Sequence, residues 1–473
     1  MTRALVVALE ALNLVVLGYF VVLNLVYLAT TLLAFGELRR HSRRSRAVGA
    51  EDPVLVAGAP PVTVIVPMFG EEATCVDTVH ALLSLDYPRL EILAVDDGSR
   101  DATAERLRVA FDLEPAPRAR TADLETAPVT ELLASRRHPN LWLVRKENGG
   151  KADALNAGLA HCHTPLFCAI DGDTLLERDA LLRMIRPFLS DGHTVAAGGV
   201  VRVVNGCPVR DGEVREVRMP RNLLAGFQVV EYLRAFLVGR VGWAETGSTL
   251  IISGAFGLFR RAPVVAAGGY STDTVGEDME LVVRLHRTLR EEGAAYRVAF
   301  VPDPVAWTEA PAKLVPLARQ RDRWQRGLIQ TLLTHRVMML NPRYGRIGMV
   351  AYPYFWFLEM MGPVVEGLGY VAFAVAALAG LVSPAHALVF LMLAVGFGMA
   401  LSVGVLALEE LTFRRYTRFR DLAALFGLGL LENVGYRQLV TFFRMKGTLS
   451  ALRGREGWGH ATTAGFHREE EAP

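Results

Sequence analysis

Residues 12–35 form an almost unbroken apolar run, and a globular core has no place for so long a stretch. As a helix it reaches across a hydrocarbon layer of about 30 Å. A secretory leader would put its positive charge before a shorter run. Here only Arg3 precedes the run, whereas Arg39, Arg40, Arg43, Arg44 and Arg46 follow it. Clustered basic residues stay on the cytoplasmic side, so the amino terminus is expected outside and residues 37–346 inside.

A second apolar zone opens near Ile347. Tyr352, Tyr354, Phe355, Trp356 and Phe357 suit the headgroup level, and residues 347–361 read as an interfacial or obliquely entering helix. Spans over 362–381 and 387–408 follow, joined at Ser383-Pro384, after which Arg414, Arg415, Arg418 and Arg420 belong inside again. Residues 421–443 start apolar and end with Glu432, Asn433, Arg437 and Gln438, so a re-entrant or surface helix and a further span both fit. Glu359 and Glu366 share a helical face; they read either as a polar path for a product or as partners of arginines in the soluble part. The expected division is an anchor (1–36), a basic linker (37–60), a soluble α/β domain (61–313), interfacial helices (314–361), a membrane region (362–443) and an inner tail (444–473).

The apolar share of 51% is high for a soluble chain and low for one made only of spans, which agrees with that mixed plan. A net charge of +2 gives no reason to expect nucleic acid. Cys75, Cys162, Cys168 and Cys207 show no Cys-x-x-Cys spacing and read as small apolar residues in a reducing compartment.

From residue 61 to 188, short β-branched runs at 62–67, 90–96, 140–144 and 165–171 alternate with helical stretches at 73–85, 103–111 and 152–161. Such alternation predicts a Rossmann-like, mostly parallel sheet covered by helices. Ligands bind beyond the carboxyl ends of strands in such sheets, and both Asp96-Asp97 and Asp171-Gly172-Asp173 fall there. Residues 114–136 carry three prolines and no apolar period, and read as a surface insertion or mobile loop. Phosphate-loop, dinucleotide and His-Glu-x-x-His motifs are absent; His161-Cys162-His163 reads as a structural helix end.

The chemistry-bearing clusters fit the movement of a sugar from a nucleotide to a hydroxyl. Asp171 and Asp173, one residue apart on a turn, can share Mg2+ or Mn2+ with diphosphate oxygens. Asp96 and Asp97 can accept hydrogen bonds from a uracil N–H or a ribose, although Asp-Gly-Ser also makes a turn or helix cap. Asp278 suits a general base with Glu277 holding the site, while an acid pair also suits a helix amino terminus. Lys151 can meet a phosphate or a carboxylate. In Gln320-x-x-Arg323-Trp324, Arg323 adds charge at a leaving group and Trp324 offers a face to a sugar ring; the same stretch reads as a cationic surface helix.

In this order the motifs resemble those of the processive family 2 glycosyltransferases, the synthases of cellulose, chitin, hyaluronan and poly-N-acetylglucosamine. The resemblance runs over residues 61–466 and rests on Asp-Asp-Gly-Ser (96–99), Gly-Gly-Lys-Ala (149–152) with Asn156, Asp-x-Asp (171–173), Ser-Gly-Ala-Phe (253–256), Glu277-Asp278 and Gln-x-x-Arg-Trp (320–324). It implies a GT-A domain, inversion at the anomeric carbon, a UDP-sugar donor such as UDP-N-acetylglucosamine, and a growing glycan as acceptor. It further implies Asp278 as base, Asp173 as metal ligand, Asp171, Asp96 and Lys151 on the UDP side, and Ser253, Gly254 and Ala255 beside the acceptor. Where the family has Pro-x-Tyr-Asn-Glu this chain has Pro67-Met68-Phe69-Gly70-Glu71, so Phe69 can stack on uracil and Glu71 is kept, but the asparagine is lost. Gly276 replaces a frequent threonine. With few spans, export calls for a homo-oligomer or an outer partner, or does not occur. Transfer of a single sugar to a lipid or short acceptor, and a non-catalytic membrane scaffold, are the alternatives.

Overall fold

The computed structural model describes residues 3–47, 53–210 and 212–454. Its strands, in chain order, are β1 (Val62–Met68), β2 (Leu90–Asp96), β3 (Leu113–Pro115), β4 (Val129–Ser135), β5 (Leu141–Lys146), β6 (Leu166–Ala169), β7 (Leu175–Leu176), β8 (Thr194–Val203), β9 (Val209–Arg210), β10 (Glu213–Val214), β11 (Gly257–Arg260) and β12 (Arg297–Thr308). Among the described residues all but β9 and β10, which make a small hairpin, join one sheet in the order β3-β4-β5-β2-β1-β6-β11-β8-β12-β7. The centre, β5-β2-β1-β6, is parallel. β11 runs antiparallel between β6 and β8, and β12 returns parallel to β8.

Every residue of β1 and β8 is buried. Covering both faces of a sheet demands this kind of uniformly apolar strand, and the runs Val-Thr-Val-Ile-Val and Val-Ala-Ala-Gly-Gly-Val-Val supply it. The expected strands and helices at 62–67, 90–96, 140–144, 103–111 and 152–161 all form within a residue or two. In the parallel register Met68 stands beside Asp96, and Asp96 beside Arg145, so the carboxyl ends of three strands finish on one rim.

Residues 114–136 are not a loop. They hold the end of β3 and all of β4, which pair antiparallel and extend the sheet beside β5. Only Leu133 and Ser135 of β4 are buried, as in a one-sided edge region, and the prolines fall around it rather than inside it. The stretch expected as a linker over 37–60 also carries structure. The anchor helix runs from Arg3 to Ala47, and Pro53–Gly58 forms a short helix.

Two helices among the described residues are long and apolar enough to cross a membrane, Ala11–Arg43 and Ala387–Thr412. A third crossing is available if Ile347–Met360 and Gly362–Leu378, bent by 42° at the break between them, act as one. The ambiguous stretch 421–443 resolves into helices Phe419–Leu431 and Arg437–Leu452, separated by non-helical backbone at Val434 and Gly435. The second of these packs along the helix Leu314–Thr334. It therefore takes in the start of the expected tail, whose residues 455–473 lie outside the described residues. Its Arg437 pairs with Glu366 at 2.8 Å, and its Arg444 lies 3.5 Å from Glu359, so both membrane-level acids have arginine partners. On the sheet side Arg202 of β8 meets Glu409 at 2.5 Å, both buried, which ties the α/β domain to the carboxyl end of Ala387–Thr412.

Candidate active site

The rim at the ends of β1, β2 and β6 is built around tight turns. Asp97 follows β2 and is buried. Its carboxylate accepts from Lys146 Nζ at 2.6 Å, Asn148 Nδ2 at 3.0 Å, Gly149 N at 3.0 Å and Gly150 N at 2.8 Å. All its lone pairs are engaged, so Asp97, expected at the nucleoside, instead holds the loop that presents Lys151. Gly98 beside it has φ +71, and a Cβ there would lie 2.8 Å from Asn148 N, so only glycine fits. Asp97→Ala removes one of the two acids on the buried Lys146, leaving Asp153, and takes away the acceptor of Gly149 N and Gly150 N, and should cost about 2 kcal/mol or more. A fall in melting temperature in detergent checks this, and an unchanged midpoint contradicts it.

Asp96, at the end of β2, is buried and caps the next turn by accepting from Ser99 N at 3.1 Å. Arg145 Nε lies 3.5 Å from its other oxygen, while Arg145 Nη1 meets Glu131 of β4 at 2.9 Å. The segment expected as an insertion thus reaches the site through Glu131. Phe69, just after β1, is 41% exposed. Glu71 accepts from Thr74 Oγ1 at 2.7 Å, and its Cγ would be 3.6 Å from a Cβ on Gly172, which places it against the Asp-Gly-Asp turn.

Lys151 joins the two halves of the rim. At the start of helix Lys151–Ala160, its Nζ lies 2.5 Å from Asp171 Oδ1 and 3.0 Å from Glu277 Oε1. A Cβ on Gly254 would sit 2.8 Å from the same Nζ and 3.6 Å from Asp278 Oδ2. Asp171, Glu277, Asp278 and the Ser253-Gly254-Ala255 turn therefore meet around one ammonium. Burial pulls the Lys151 amine down, but Asp171, Glu277 and Asp278 outweigh it and hold it above its ordinary value. Asp278 accepts from Gly254 N at 3.0 Å and from Met279 N at 2.8 Å, which fixes its carboxylate while leaving it half-exposed.

Burial, then Asp171 and Glu71, push the Asp173 carboxyl up to about 7; Lys151 opposes this and Glu309 adds to it. Asp171 and Asp173 stand one residue apart on this turn, and two such carboxylates suit a divalent cation. Among the described residues no three His, Cys, Asp or Glu side chains are gathered as a closed metal cage. That fits an ion carried by one or two carboxylates plus substrate oxygens.

The helix Leu314–Thr334 closes the site on its other flank. Gly327 touches Gly276 backbone to backbone: a Cβ on Gly327 would lie 2.8 Å from Gly276 Cα. Gln330 Oε1 accepts from Val275 N at 3.1 Å and Thr274 Oγ1 at 3.2 Å. These contacts fix the loop that leads into Glu277-Asp278, and they explain why glycine stands at 276. Gln320, Arg323, Gly327 and Gln330 are spaced 3, 4 and 3 apart, one helical face, a signal present in the sequence. Gly327→Ala should shift that loop by several tenths of an ångström and lower kcat about 10²-fold. Donor binding should persist, and parallel losses of both would contradict the positioning role.

Gln320 Oε1 is buried with no hydrogen-bond partner among the described residues. Trp324 is 45% exposed, with its ring 6.5 Å from that of Tyr232 and the Arg321 guanidinium 4.3 Å over it. Arg321, which the sequence reading passed over, is buried and held by Glu231 at 2.7 Å. Arg323 is half-buried on the same helix. His161 Nδ1 lies 2.9 Å from Ala157 O, consistent with a structural helix end.

Over 274 residues the chain is 29% identical to the poly-beta-1,6-N-acetyl-D-glucosamine synthase of Staphylococcus aureus, covering 58% of this chain and 55% of that protein. The corresponding synthase of Staphylococcus epidermidis is 27% identical over the same length. The match thus spans about half the length of these curated relatives. Mannosyltransferase PcManGT from Pyrobaculum calidifontis, solved in complex with GDP-Man and Mn2+, superposes with a TM-score of 0.55 at 20% identity, covering 93% of this chain and 100% of that one. That likeness shows a shared GT-A-like α/β fold. A family profile described as "Glycosyltransferase like family 2" matches residues 60–327, more than half of the chain and the whole rim described above, and the chain belongs to that family.

Proposed function

We propose that this chain is a membrane-bound inverting β-glycosyltransferase that takes a sugar from a UDP-sugar and extends a polysaccharide processively, with UDP-N-acetylglucosamine as donor. The observation that carries the reading is Lys151, which touches both the Asp-x-Asp turn and the Glu277-Asp278 pair. A leaving group and a proton acceptor are thereby addressed from opposite sides of one cleft. The likeness to the staphylococcal synthases supports the choice of sugar.

In this reading Phe69 stacks on uracil and Asp96 takes the nucleoside. Asp171 and Asp173 hold Mg2+ or Mn2+, which when bound neutralises charge on the diphosphate. Asp278 accepts the proton of the acceptor hydroxyl. The hydroxyl oxygen bonds to the anomeric carbon, and the carbon–oxygen bond to the diphosphate breaks with its electron pair leaving on UDP. A single displacement inverts the centre. Ser253, Gly254, Ala255, Gln320 and Trp324 hold the acceptor sugar, and Arg323 adds charge at the leaving group. The arginines after the anchor put the domain on the inner face of the cell membrane, with the amino terminus outside. A growing glycan would leave through a homo-oligomer or with an outer partner.

Membranes from expressing cells, given labelled UDP-sugars with Mg2+ or Mn2+, test this. Label from UDP-N-acetylglucosamine should enter a high-molecular-mass product, and Asp173→Ala should weaken metal-dependent donor binding. A lipid carrying one sugar would replace the polymer reading, and release of UDP from no donor would favour a scaffold.

A further inference from the structure

At the far end of the helix that begins with Asp278 lies a second, separate cavity of about 430 Å³. Arg290, Arg297 and Arg346 line it, with Thr246, Gly247 and Tyr296. Arg290 stands about 18 Å from Asp278 at 1.5 Å per helical residue, so this is not the rim described above. The Arg290 guanidinium lies over Gly345, its Nη1 3.7 Å from where a Cβ would be, and its Nε donates to Tyr296 at 3.2 Å. Arg346 is exposed and makes no ion pair among the described residues. Three acids lie nearby: Asp191 is 3.8 Å from Arg297, Glu291 is occupied by Arg287 at 3.0 Å and Tyr344 at 2.8 Å, and Glu245, between the lining residues Ala244 and Thr246, is paired with Arg40. Positive charge is left over.

The cavity sits at the level where the anchor helix turns from apolar to basic. Gly242 backs onto Thr30 within the apolar run, the rings of Trp243 and Tyr354 are 4.7 Å apart, and Glu245 pairs with Arg40 just beyond the run. Arg346 immediately precedes the bent membrane-entering pair. Val337, Leu340, Met349 and Val350, close by in sequence, are exposed and apolar. A charged hollow on a segment that also exposes apolar side chains matches a phosphate that carries acyl chains.

We propose that this cavity binds the headgroup phosphate of an anionic glycerophospholipid from the inner leaflet. The three guanidiniums hold the phosphate, and the exposed apolar side chains meet the acyl chains. The inference rests on the membrane placement given under the proposed function. A free phosphate would use the arginines but gain nothing from the apolar side chains.

Native mass spectrometry of the full chain, stripped of lipid in a non-ionic detergent, tests it with short-chain phosphatidylglycerol, short-chain phosphatidylcholine and inorganic phosphate. Phosphatidylglycerol should bind at least about tenfold tighter than either of the others, since the arginines repel the fixed cation of choline and inorganic phosphate has no chains to bury. Arg290→Ala and Arg346→Ala should each lower that affinity about tenfold, whereas Arg108→Ala, on an exposed helix face of the α/β domain, should not. Equal binding of the two lipids, inorganic phosphate binding as tightly as phosphatidylglycerol, or intact affinity in both variants overturns the site. UDP binding in the same samples reports on the transferase reading by itself. Its absence with lipid selectivity intact overturns that reading alone, and its presence with selectivity lost overturns the lipid site alone.

Discussion

Asp278→Asn is expected to cut sugar transfer about 10³-fold while UDP-sugar binding stays as it was. A positioned general base contributes about 10²–10⁴-fold, and the amide keeps the size of the acid but cannot take a proton. Its oxygen can still accept from Gly254 N or from Met279 N, so the turn and the helix start keep most of their shape. Asp278→Glu should not rescue, because the added methylene pushes the carboxylate past the Gly254 turn, whose Cβ position is already 3.6 Å from Asp278. Single-turnover transfer and equilibrium donor binding, measured side by side, separate the two effects. Loss of donor binding in Asp278→Asn would move this residue to the nucleotide side and leave the base unassigned.

Lys151→Met should be the second large loss, in donor affinity, by about 10- to 100-fold. The methionine fills the space beside Gly254 but leaves Asp171 and the buried Glu277 facing each other without a cation. Burial first, and then Asp278, already hold the Glu277 carboxyl above its ordinary range against the pull of Lys151. Removing Lys151 therefore also destabilises the fold. The double variant Lys151→Met/Glu277→Gln distinguishes the two consequences. It should regain melting temperature without regaining donor affinity. Recovery of both would make Lys151 a structural residue only.

The sheet centre and the acidic rim were legible because their signals are local. A fully apolar β-branched run predicts a strand buried on both faces, and a polar turn after it marks the rim. Residues 114–136 misled because β4 is half-exposed and follows three prolines, so its period is lost in composition. Adjacent acids could not be told apart either. Asp96 and Asp97 differ only in which way the chain turns, and the partner that claims Asp97, Lys146, comes from a strand 49 residues away. The contact of Gly276 with Gly327 is likewise invisible locally, since two glycines announce nothing until the loop before Glu277 meets the helix Leu314–Thr334. Arg321 was overlooked beside Arg323 because charge alone does not reveal burial.

Convergence of the acids on one donor site is tested most directly by crystals grown with UDP and Mn2+ and measured at the manganese edge. An anomalous peak at the Asp171 and Asp173 carboxylates, with the uracil against Phe69, is the expected result. A peak away from that turn, or UDP bound elsewhere on the chain, would contradict it.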